Sequence, residues 1–505
     1  MIKANFIGRQ GAIMIAVILV SLIPLLWPNI PPITDLYVHI GRYSIAHNLP
    51  TDPLLQRYYS YNWALIPNLG VDLMVKFIAP FIGVEPAAKL SMMAIIAGTG
   101  AALLLLARQA HGRITAAALF ALPLAYGYPF QFGFVNFCLS MALAFLGFYL
   151  WMRLGDTHKL VMRAVIFVPL AVVVWVAHAS GWGALGLCVF AAEIIRHRDA
   201  GAKWLRTLFG SSVHCLPLTV PLALMVVSHG GGTQMTGQWF NWLTKSQAMM
   251  MALGDRWQLF DVISVDILFF IIGAAMILRA VRFDRRLGLA ALFLFGAFLI
   301  LPWALMGSTF TDMRFSPFVI ALALIAIDIR PGTSTPLGKY MIVAGAAFFL
   351  IRTTATTISF VSYEKDIRAE LEVLPHIPVG SRVAAFIDRT CNSRWSHDRR
   401  QHLPSIGLGR RSIFVNDQFS MGGVQLVRVH YPAAGAFTSD PSQIVVHKHC
   451  PGEDWREFPE AIDILPRSAF DYVWLINIKN RSKVDLSGLT PVWQKASSTL
   501  YKIDR

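Results

Sequence analysis

Asp35 and His39 are the two residues whose types and spacing best suit acid–base chemistry. They lie in Thr34-Asp-Leu-Tyr-Val-His39, shortly after the first apolar run of the chain. We predict a helix with Thr34 as its N-cap and Asp35 in its first turn, where the helix dipole favours an anion. Residues four apart share one face of a helix, so the pair would deprotonate a hydroxyl or hold a divalent metal ion. The plainer interpretation is that Asp35 only caps the helix and His39 only packs.

A second polar cluster contains Asp312 and Arg314, in the segment Gly307-Ser-Thr-Phe-Thr-Asp-Met-Arg314. The planar fork of an arginine matches a phosphate group, and a nearby carboxylate can hold that fork in place. We therefore interpret Arg314 as a phosphate-binding candidate that Asp312 orients. The alternative is an arginine at a helix end whose charged group simply reaches water.

Other polar residues between the apolar segments are candidates for a sugar-binding pocket. Tyr58 and Tyr59 lie in a long polar loop, whereas Gln131 and Asn136 belong to a short aromatic segment, 126–136. Asp72 is a further substrate-binding candidate. Its simpler interpretation is an ion pair with Lys76, four residues later.

Composition shows what kind of protein must position these residues. Of 505 residues, 55% are hydrophobic and 14% charged, and the mean hydropathy is +0.54. These values indicate a membrane protein. The formal charge of +15 would suggest nucleic-acid binding in a soluble chain. However, the excess of basic residues lies between apolar runs, and no basic run alternates with aromatic residues. We therefore exclude nucleic acid as a partner.

Hydropathy predicts a polytopic helical protein with about eleven spans. The predicted spans cover residues 11–27, 86–107, 114–129, 137–153, 161–178, 182–195, 207–228, 262–281, 287–306, 315–329 and 340–360. Residues 62–83 are also apolar but contain Pro67, Asp72 and Lys76. We interpret them as a helix at the membrane interface or dipping partly into it.

The distribution of basic residues predicts the orientation. With a cytoplasmic N-terminus, the inside loops contain 17 Lys and Arg residues and the outside loops before residue 360 contain only six. This bias fits the positive-inside rule and an odd number of spans. It predicts a transmembrane domain, 1–360, with a first outer loop at 28–85 and the tail outside the cytoplasm.

The tail, 361–505, alternates short apolar strands with helical or loop segments and predicts a small α/β domain. The expected strands are 382–387, 412–415, 443–446, 472–478 and 499–503, and the expected helical stretches include 362–374 and 457–465. Cys391 and Cys450 are the two cysteines in this tail. They are the pair that would form a disulfide in an oxidising compartment, although sequence does not fix their geometry.

In its layout the chain resembles the GT-C superfamily of integral membrane glycosyltransferases. The bacterial relatives it is most similar to are the aminoarabinose transferase of lipid A, protein O-mannosyltransferases and rhizobial core glycosyltransferases. The resemblance covers about residues 10–360 and implies a bundle of spans, often with a periplasmic α/β tail. It also implies that the first-loop acid, here Asp35, acts as base or metal ligand, and that a late outer-loop arginine, here Arg314, binds the donor phosphate.

Two residues depart from the pattern of the superfamily. Many relatives have a second acid in the loop after the third span, where this chain has Asn136, and the first acid is often followed by another, where this chain has Leu36. Asp72 or His39 would then complete the site, or the chain has lost catalysis.

The sequence therefore predicts an enzyme of a bacterial cytoplasmic membrane. It would transfer a sugar from a polyprenyl-phosphate donor to an envelope glycan, lipid or protein on the periplasmic face. Two other classes stay open: a transporter or flippase of a lipid-linked intermediate, and a non-catalytic envelope scaffold. A transporter would need paired charges near the middle of the membrane, whereas the charges found here lie near span ends.

Overall fold

The structure is a computed structural model that describes residues 8–157, 159–227, 235–330, 335–391, 398–420, 425–448, 450, 455–481 and 484–505. The chain divides into two compact units. The first unit contains Met1–Trp27, Leu65–Val71 and Ser91–Ser359. The second contains Pro28–Ala64, Asp72–Leu90 and Phe360–Arg505, so the predicted tail domain is grouped with most of the predicted first outer loop.

Helices dominate the described residues between 9 and 371. The α-helices are Arg9–Ser21, Ile23–Leu26, Leu36–Asn48, Pro53–Gln56, Gly70–Ile82, Val84–His111, Ala116–Ala121, Tyr128–Phe132, Val135–Asp156, Leu160–Ala177, Ala179–Asp199, Trp204–Cys215, Val220–Val227, Trp242–Met250, Gln258–Ile277, Arg285–Ile300, Ser316–Ile325, Thr335–Leu371, Ile406–Arg411 and Phe458–Asp463. Short 3₁₀ helices cover Leu122–Tyr126, Leu216–Leu218, Met313–Phe315, Leu374–His376, Leu403–Ser405, Pro432–Phe437 and Arg467–Ala469.

Each of the eleven predicted spans coincides with one or more helical segments. By length and apolarity, six described helices are able to cross a membrane: Val84–His111, Val135–Asp156, Leu160–Ala177, Ala179–Asp199, Gln258–Ile277 and Pro336–His376. The last of these combines the helix Thr335–Leu371 with the 3₁₀ helix Leu374–His376. A seventh is counted if Trp204–Leu218 and Val220–Val226, bent by 58°, form one broken span. The total of eleven stays a prediction.

Proline residues explain why several predicted spans are broken. The predicted span 114–129 divides into Ala116–Ala121, the 3₁₀ turn Leu122–Tyr126 and Tyr128–Phe132, and Pro123 and Pro129 each lie at the start of a new piece. Proline lacks the amide hydrogen that would continue the preceding helix. Two predicted spans are wrong at their ends, because Val281–Phe283 and Ile327–Ile329 are strands paired antiparallel with each other.

The second unit is built on a mixed sheet. Its strand order is Leu489–Lys495, Ser498–Ile503, Tyr472–Ile476, Arg382–Asp388, Ile444–Val446 and Arg456–Glu457, with Phe414–Val415 also paired to Arg382–Asp388. The central strand Arg382–Asp388 has only parallel neighbours and five consecutive buried residues, as expected for a strand covered on both faces. The tail is therefore α/β, and its five expected strands are present with slightly shifted ends.

Three tail strands were not predicted. Leu489–Lys495 and Arg456–Glu457 lie at opposite edges of the mixed sheet. Val427–Val429 pairs with Tyr59–Tyr61 of the first loop, so a separate two-stranded sheet joins residues about 370 positions apart. Cys391 and Cys450 form a disulfide with their Cα atoms 5.5 Å apart.

Candidate functional site

Asp35 occupies the N-cap position of the helix Leu36–Asn48, which we call the first-loop helix. The predicted cap by Thr34 is wrong, since its buried hydroxyl makes no hydrogen bond and the helix begins one residue later. Asp35 is 7% exposed and does not cap the helix with its own side chain. Its carboxylate is therefore not used in starting the helix.

The tail places an imidazole beside this carboxylate. His402 is fully buried, and its Nε2 lies 3.7 Å from Oδ1 of Asp35 and 3.8 Å from Oδ1 of Asp440. Burial lowers the pKa of His402, against the opposing effect of Asp440. Burial therefore favours the neutral form of this ring, which lies between two carboxylates.

His39 has mainly aromatic surroundings in the structure. Its ring stacks on Tyr43 at a centroid distance of 6.2 Å and lies at the same distance from Phe419. Phe419 also contacts the ring of His402 edge-on, at 5.1 Å. One aromatic ring of the tail thus contacts both His39 and His402.

Tyr58 and Tyr59 pack into the second unit. The Tyr58 ring lies 5.3 Å from that of Phe414 and 4.9 Å from that of Tyr431. The Tyr59 hydroxyl accepts from the Val415 amide at 3.1 Å, and burial raises the pKa of this phenol. Both tyrosines thus bind the first loop to tail residues, and their role in a sugar pocket stays a prediction.

Asp72 has a different partner from the one predicted. Arg42 contacts both of its carboxylate oxygens, while the ammonium group of Lys76 lies 4.0 Å from the ring centroid of Trp63. The predicted pair of Asp72 with Lys76 is wrong, because the buried Arg42 presents a planar fork that matches both oxygens.

Arg314, in the first unit, is buried at 6% exposure. One of its terminal nitrogens donates to Ser308 Oγ at 2.9 Å and to the Thr309 carbonyl at 2.6 Å. Its guanidinium carbon lies 3.8 Å from the ring centroid of Phe134. Serine, a carbonyl and an aromatic face therefore orient this arginine.

The predicted pairing of Asp312 with Arg314 is wrong. Asp312 accepts instead from Lys245 Nζ at 2.7 Å and from the Met313 amide at 2.8 Å. Lys245 is 2% exposed and also donates to the carbonyls of Phe298 and Leu301, each at 2.8 Å. A buried ammonium needs a counter-charge, and Asp312 is that counter-charge.

Gln131 and Asn136 are both buried within the first unit. The Asn136 amide donates to the carbonyl of Asn68 at 2.8 Å, and its oxygen accepts from the Val71 amide at 2.6 Å. Asn136 therefore holds residues 68–71 in place. A sugar contact by either residue stays a prediction.

No protein-family profile matches this chain, and no curated protein sequence matches it either. The solved structures similar to this chain include ArnT from Cupriavidus metallidurans bound to undecaprenyl phosphate, which is similar over almost the whole length. The two chains share 13% sequence identity at a TM-score of 0.53, and the match covers 98% of each. The chain has a GT-C-like fold.

One set of ligand-type residues in the GT-C-like fold converges closely enough for a metal ion, within the residues that the structure describes. Glu193, His197 and His214 have ligand atoms within 4.8 Å of one another, beside a cavity of about 430 Å³ that Glu193 lines. The guanidinium of Arg196 contacts both Glu193 and His214. An arginine thus already neutralises this carboxylate, and a metal ion would have to displace it. The metal predicted at Asp35 and His39 stays a prediction.

His402 and Lys245 are the residues that sequence reasoning missed. His402 follows Arg399-Arg400-Gln401 without a motif, and it is separated from Asp35 by more than 360 residues. For Lys245 the sequence offered one weak indication: it lies between apolar segments, and a lysine that is buried there requires a partner.

Proposed function

We propose that the chain is a membrane glycosyltransferase that uses a polyprenyl-phosphate-linked sugar as donor. The acceptor would be a glycan, lipid or protein of the bacterial cell envelope, and the reaction would take place on the periplasmic face. The observation that carries this proposal is the end-to-end fold similarity to a protein solved with undecaprenyl phosphate.

The two candidate residues match the two requirements of such a transfer. Asp35 would accept the proton of the acceptor hydroxyl, whose oxygen then attacks the anomeric carbon of the sugar. The bond from that carbon to the phosphate oxygen breaks, and the polyprenyl phosphate leaves with the electron pair. Arg314 would bind the phosphate and stabilise the charge that develops on it.

Buried charge pairs in the first unit do not favour the rival function of transport. Arg163 pairs with Glu193, and Arg352 pairs with Asp261. One member of each pair lies near a helix end, since Arg163 and Asp261 are each the fourth residue of their helices, Leu160–Ala177 and Gln258–Ile277. Arg352, in contrast, is in the middle of the helix Thr335–Leu371. A transporter would place such pairs near the middle of its spans.

The Cys391–Cys450 disulfide supports the proposed periplasmic location of the tail. Structural disulfides persist in oxidising compartments such as the periplasm and are rare in the cytosol. This agrees with the excess of basic residues in the predicted inside loops.

The proposal is tested by transfer from radiolabelled polyprenyl-phosphate sugars to envelope fractions, using the purified full-length chain. Asp35→Asn keeps the shape of the side chain and removes its ability to accept a proton. We expect the transfer rate to fall by a factor of about 100 or more.

The matched control is Asp52→Asn in the same loop. Asp52 caps the helix Pro53–Gln56 by accepting from the Leu54 and Leu55 amides, a role that an asparagine also fulfils. This variant should transfer at nearly the wild-type rate. Transfer by Asp35→Asn at the wild-type rate would refute Asp35 as the base, and no transfer by wild type from any donor tested would refute the function.

A further inference from the structure

We propose that His402 is a positioning residue for Asp35, so that the tail forms part of the candidate site. This inference rests on the proposed role of Asp35 as the base. It assigns a function to the tail segment 398–418, which lies against the first-loop helix and which the proposed function does not otherwise use.

Close packing sets the distance between this segment and the first-loop helix. A Cβ atom on Gly41 would lie 2.5 Å from Gln418 Nε2 and 2.9 Å from Ser405 Cβ, and one on Gly409 would lie 2.5 Å from Ser44 Oγ. Glycine at positions 41 and 409 therefore allows the first-loop helix and the tail segment to approach this closely, because a Cβ atom at either position would clash with the opposite segment.

Hydrogen bonds connect the same segment to the start of the first-loop helix. Arg399 donates to the carbonyl of Pro32, just before Asp35. Gln418 donates to the Val38 carbonyl at 3.4 Å and to Ser405 Oγ at 2.6 Å. The segment thus holds the backbone on both sides of Asp35.

The orientation of the His402 ring follows from the groups around it. Nδ1 lies 3.2 Å from the carbonyl oxygen of Asp417, which only accepts hydrogen bonds, and 3.4 Å from the amide nitrogen of Gln443. We assign the proton to Nδ1 because the Asp417 carbonyl is nearer and because the amide nitrogen of Gln401, a donor, lies 3.3 Å from Nε2. The other nitrogen, Nε2, then faces Asp35 and Asp440. Asp440 is held in place by Gln443, which donates to its Oδ1 at 2.7 Å.

The distance of 3.7 Å from Nε2 to Asp35 Oδ1 is longer than a hydrogen bond. Hydrogen bonds at catalytic sites are often long without substrate and shorten when the substrate binds. A protonated Asp35, formed when the acceptor hydroxyl loses its proton, would donate to the lone pair of Nε2. His402 would therefore hold the carboxyl group in one orientation while the sugar is transferred.

Two substitutions separate this role from a structural one, because each places an amide group near the position of a different ring nitrogen of His402. The Asn amide nitrogen lies near the position of Nδ1, so His402→Asn preserves the contact with the Asp417 carbonyl. The longer Gln side chain reaches the position of Nε2, so His402→Gln preserves the contact with Asp35. We expect kcat to fall by a factor of about 10 to 100 in His402→Asn, since misplacement by about 1 Å has effects of this size. His402→Gln should keep most of kcat, with KM similar in both. The opposite order, or equal rates, would overturn the inference.

A second measurement on the full-length chain does not depend on transfer. Asp35→Asn, His402→Asn and their combination form a double-mutant cycle on the thermal unfolding midpoint. We expect the two shifts to be non-additive, because residues in contact are coupled. Asp35→Asn combined with Lys495→Ala, a surface change in the tail, is the control and should be additive.

The outcomes separate the inference from the proposed function. Additive shifts would overturn the inference whatever the activity. Loss of transfer in Asp35→Asn together with a fully active His402→Asn would overturn the inference alone. Unchanged transfer in Asp35→Asn would refute Asp35 as the base and, with it, the positioning role of His402. Absence of transfer by the wild type, with non-additive shifts, would overturn only the proposed function.

Discussion

Arg42 and Asp72 form a buried, two-point ion pair. Arg42 Nε lies 2.9 Å from Oδ1 and Nη2 lies 3.0 Å from Oδ2, and the two side chains are 4% and 2% exposed. Arg42 also donates to Gln425 Oε1 at 2.7 Å. This arginine therefore connects the first-loop helix to Asp72, in the helix Gly70–Ile82, and to Gln425 of the tail.

The first prediction concerns this pair. Asp72→Asn leaves the guanidinium of Arg42 buried without a counter-charge, which typically costs about 3–5 kcal/mol. We expect the apparent free energy of unfolding, measured by denaturant titration of the detergent-solubilised chain, to fall by about that amount. Lys495→Ala, which breaks an exposed ion pair with Glu372, should change it by no more than about 1 kcal/mol. Equal effects of the two substitutions would contradict the structural role of Asp72.

Local patterns in the sequence were sufficient to predict the helical segments of the spans and five of the tail strands. The apolar runs identified each helical segment of the predicted spans, and the alternation in the tail identified strands such as Arg382–Asp388. Such patterns depend only on neighbouring residues, so they can be recognised in one sequence.

Partners distant in sequence were not predictable in this way. Lys76 is the local candidate to pair with Asp72, but the fold brings Arg42 to it from a different helix. His402 reaches Asp35, and Val427–Val429 reaches Tyr59–Tyr61, only because the tail packs on the first loop. Nothing in the spacing of these residues indicates the tertiary contact.

The second prediction separates Asp312 from Arg314. Asp312→Asn removes the counter-charge of the buried Lys245 and should lower the unfolding midpoint of the purified chain. Arg314→Lys keeps a positive charge near Phe134 but loses the planar fork, so it should mainly weaken donor binding, seen as a raised KM for the donor.

Replacing both members of the pair is the control for Asp312. Lys245→Met combined with Asp312→Leu leaves no unpaired charge and should recover part of the lost stability. If Asp312→Asn changed the donor KM without changing the unfolding midpoint, Asp312 would instead orient Arg314 for phosphate binding, as the sequence first suggested.

The third prediction concerns the disulfide. Cys391 and Cys450 are separated by 59 positions, and closing a loop of this size stabilises a fold by about 4 kcal/mol in the chain-entropy model. Alkylation of the denatured chain without reductant should label three thiols, those of Cys138, Cys188 and Cys215. After reduction, all five cysteines of the chain should be labelled. Cys215→Ser should lower both numbers by one, and five labelled thiols without reductant would disprove the bond.

The last prediction is a pH dependence that Asp417 gives to the second unit. Burial raises the pKa of this carboxyl to about 8, against the opposing effect of hydrogen bonds from Ser405. In the unfolded chain the pKa is close to the usual value of 3.8. Between these two values the folded state binds the extra proton, so this contribution to stability decreases as the pH rises and is fully lost above about pH 8.

A comparison of variants above pH 7 isolates this effect. The lowered pKa of His402 makes stability increase with pH, but only up to the usual histidine value of 6.5. Asp471, whose pKa stays low despite burial because Arg382 binds it, loses its stabilising effect only in acid. From pH 7 to 9, Asp417 should therefore lower the free energy of unfolding by about 1 kcal/mol. Asp417→Asn, which has a similar shape and no titratable group, should show a smaller decrease in this range, whereas Asp471→Asn should follow the wild type. An identical pH dependence in Asp417→Asn and wild type would show that Asp417 is ionised in the folded protein.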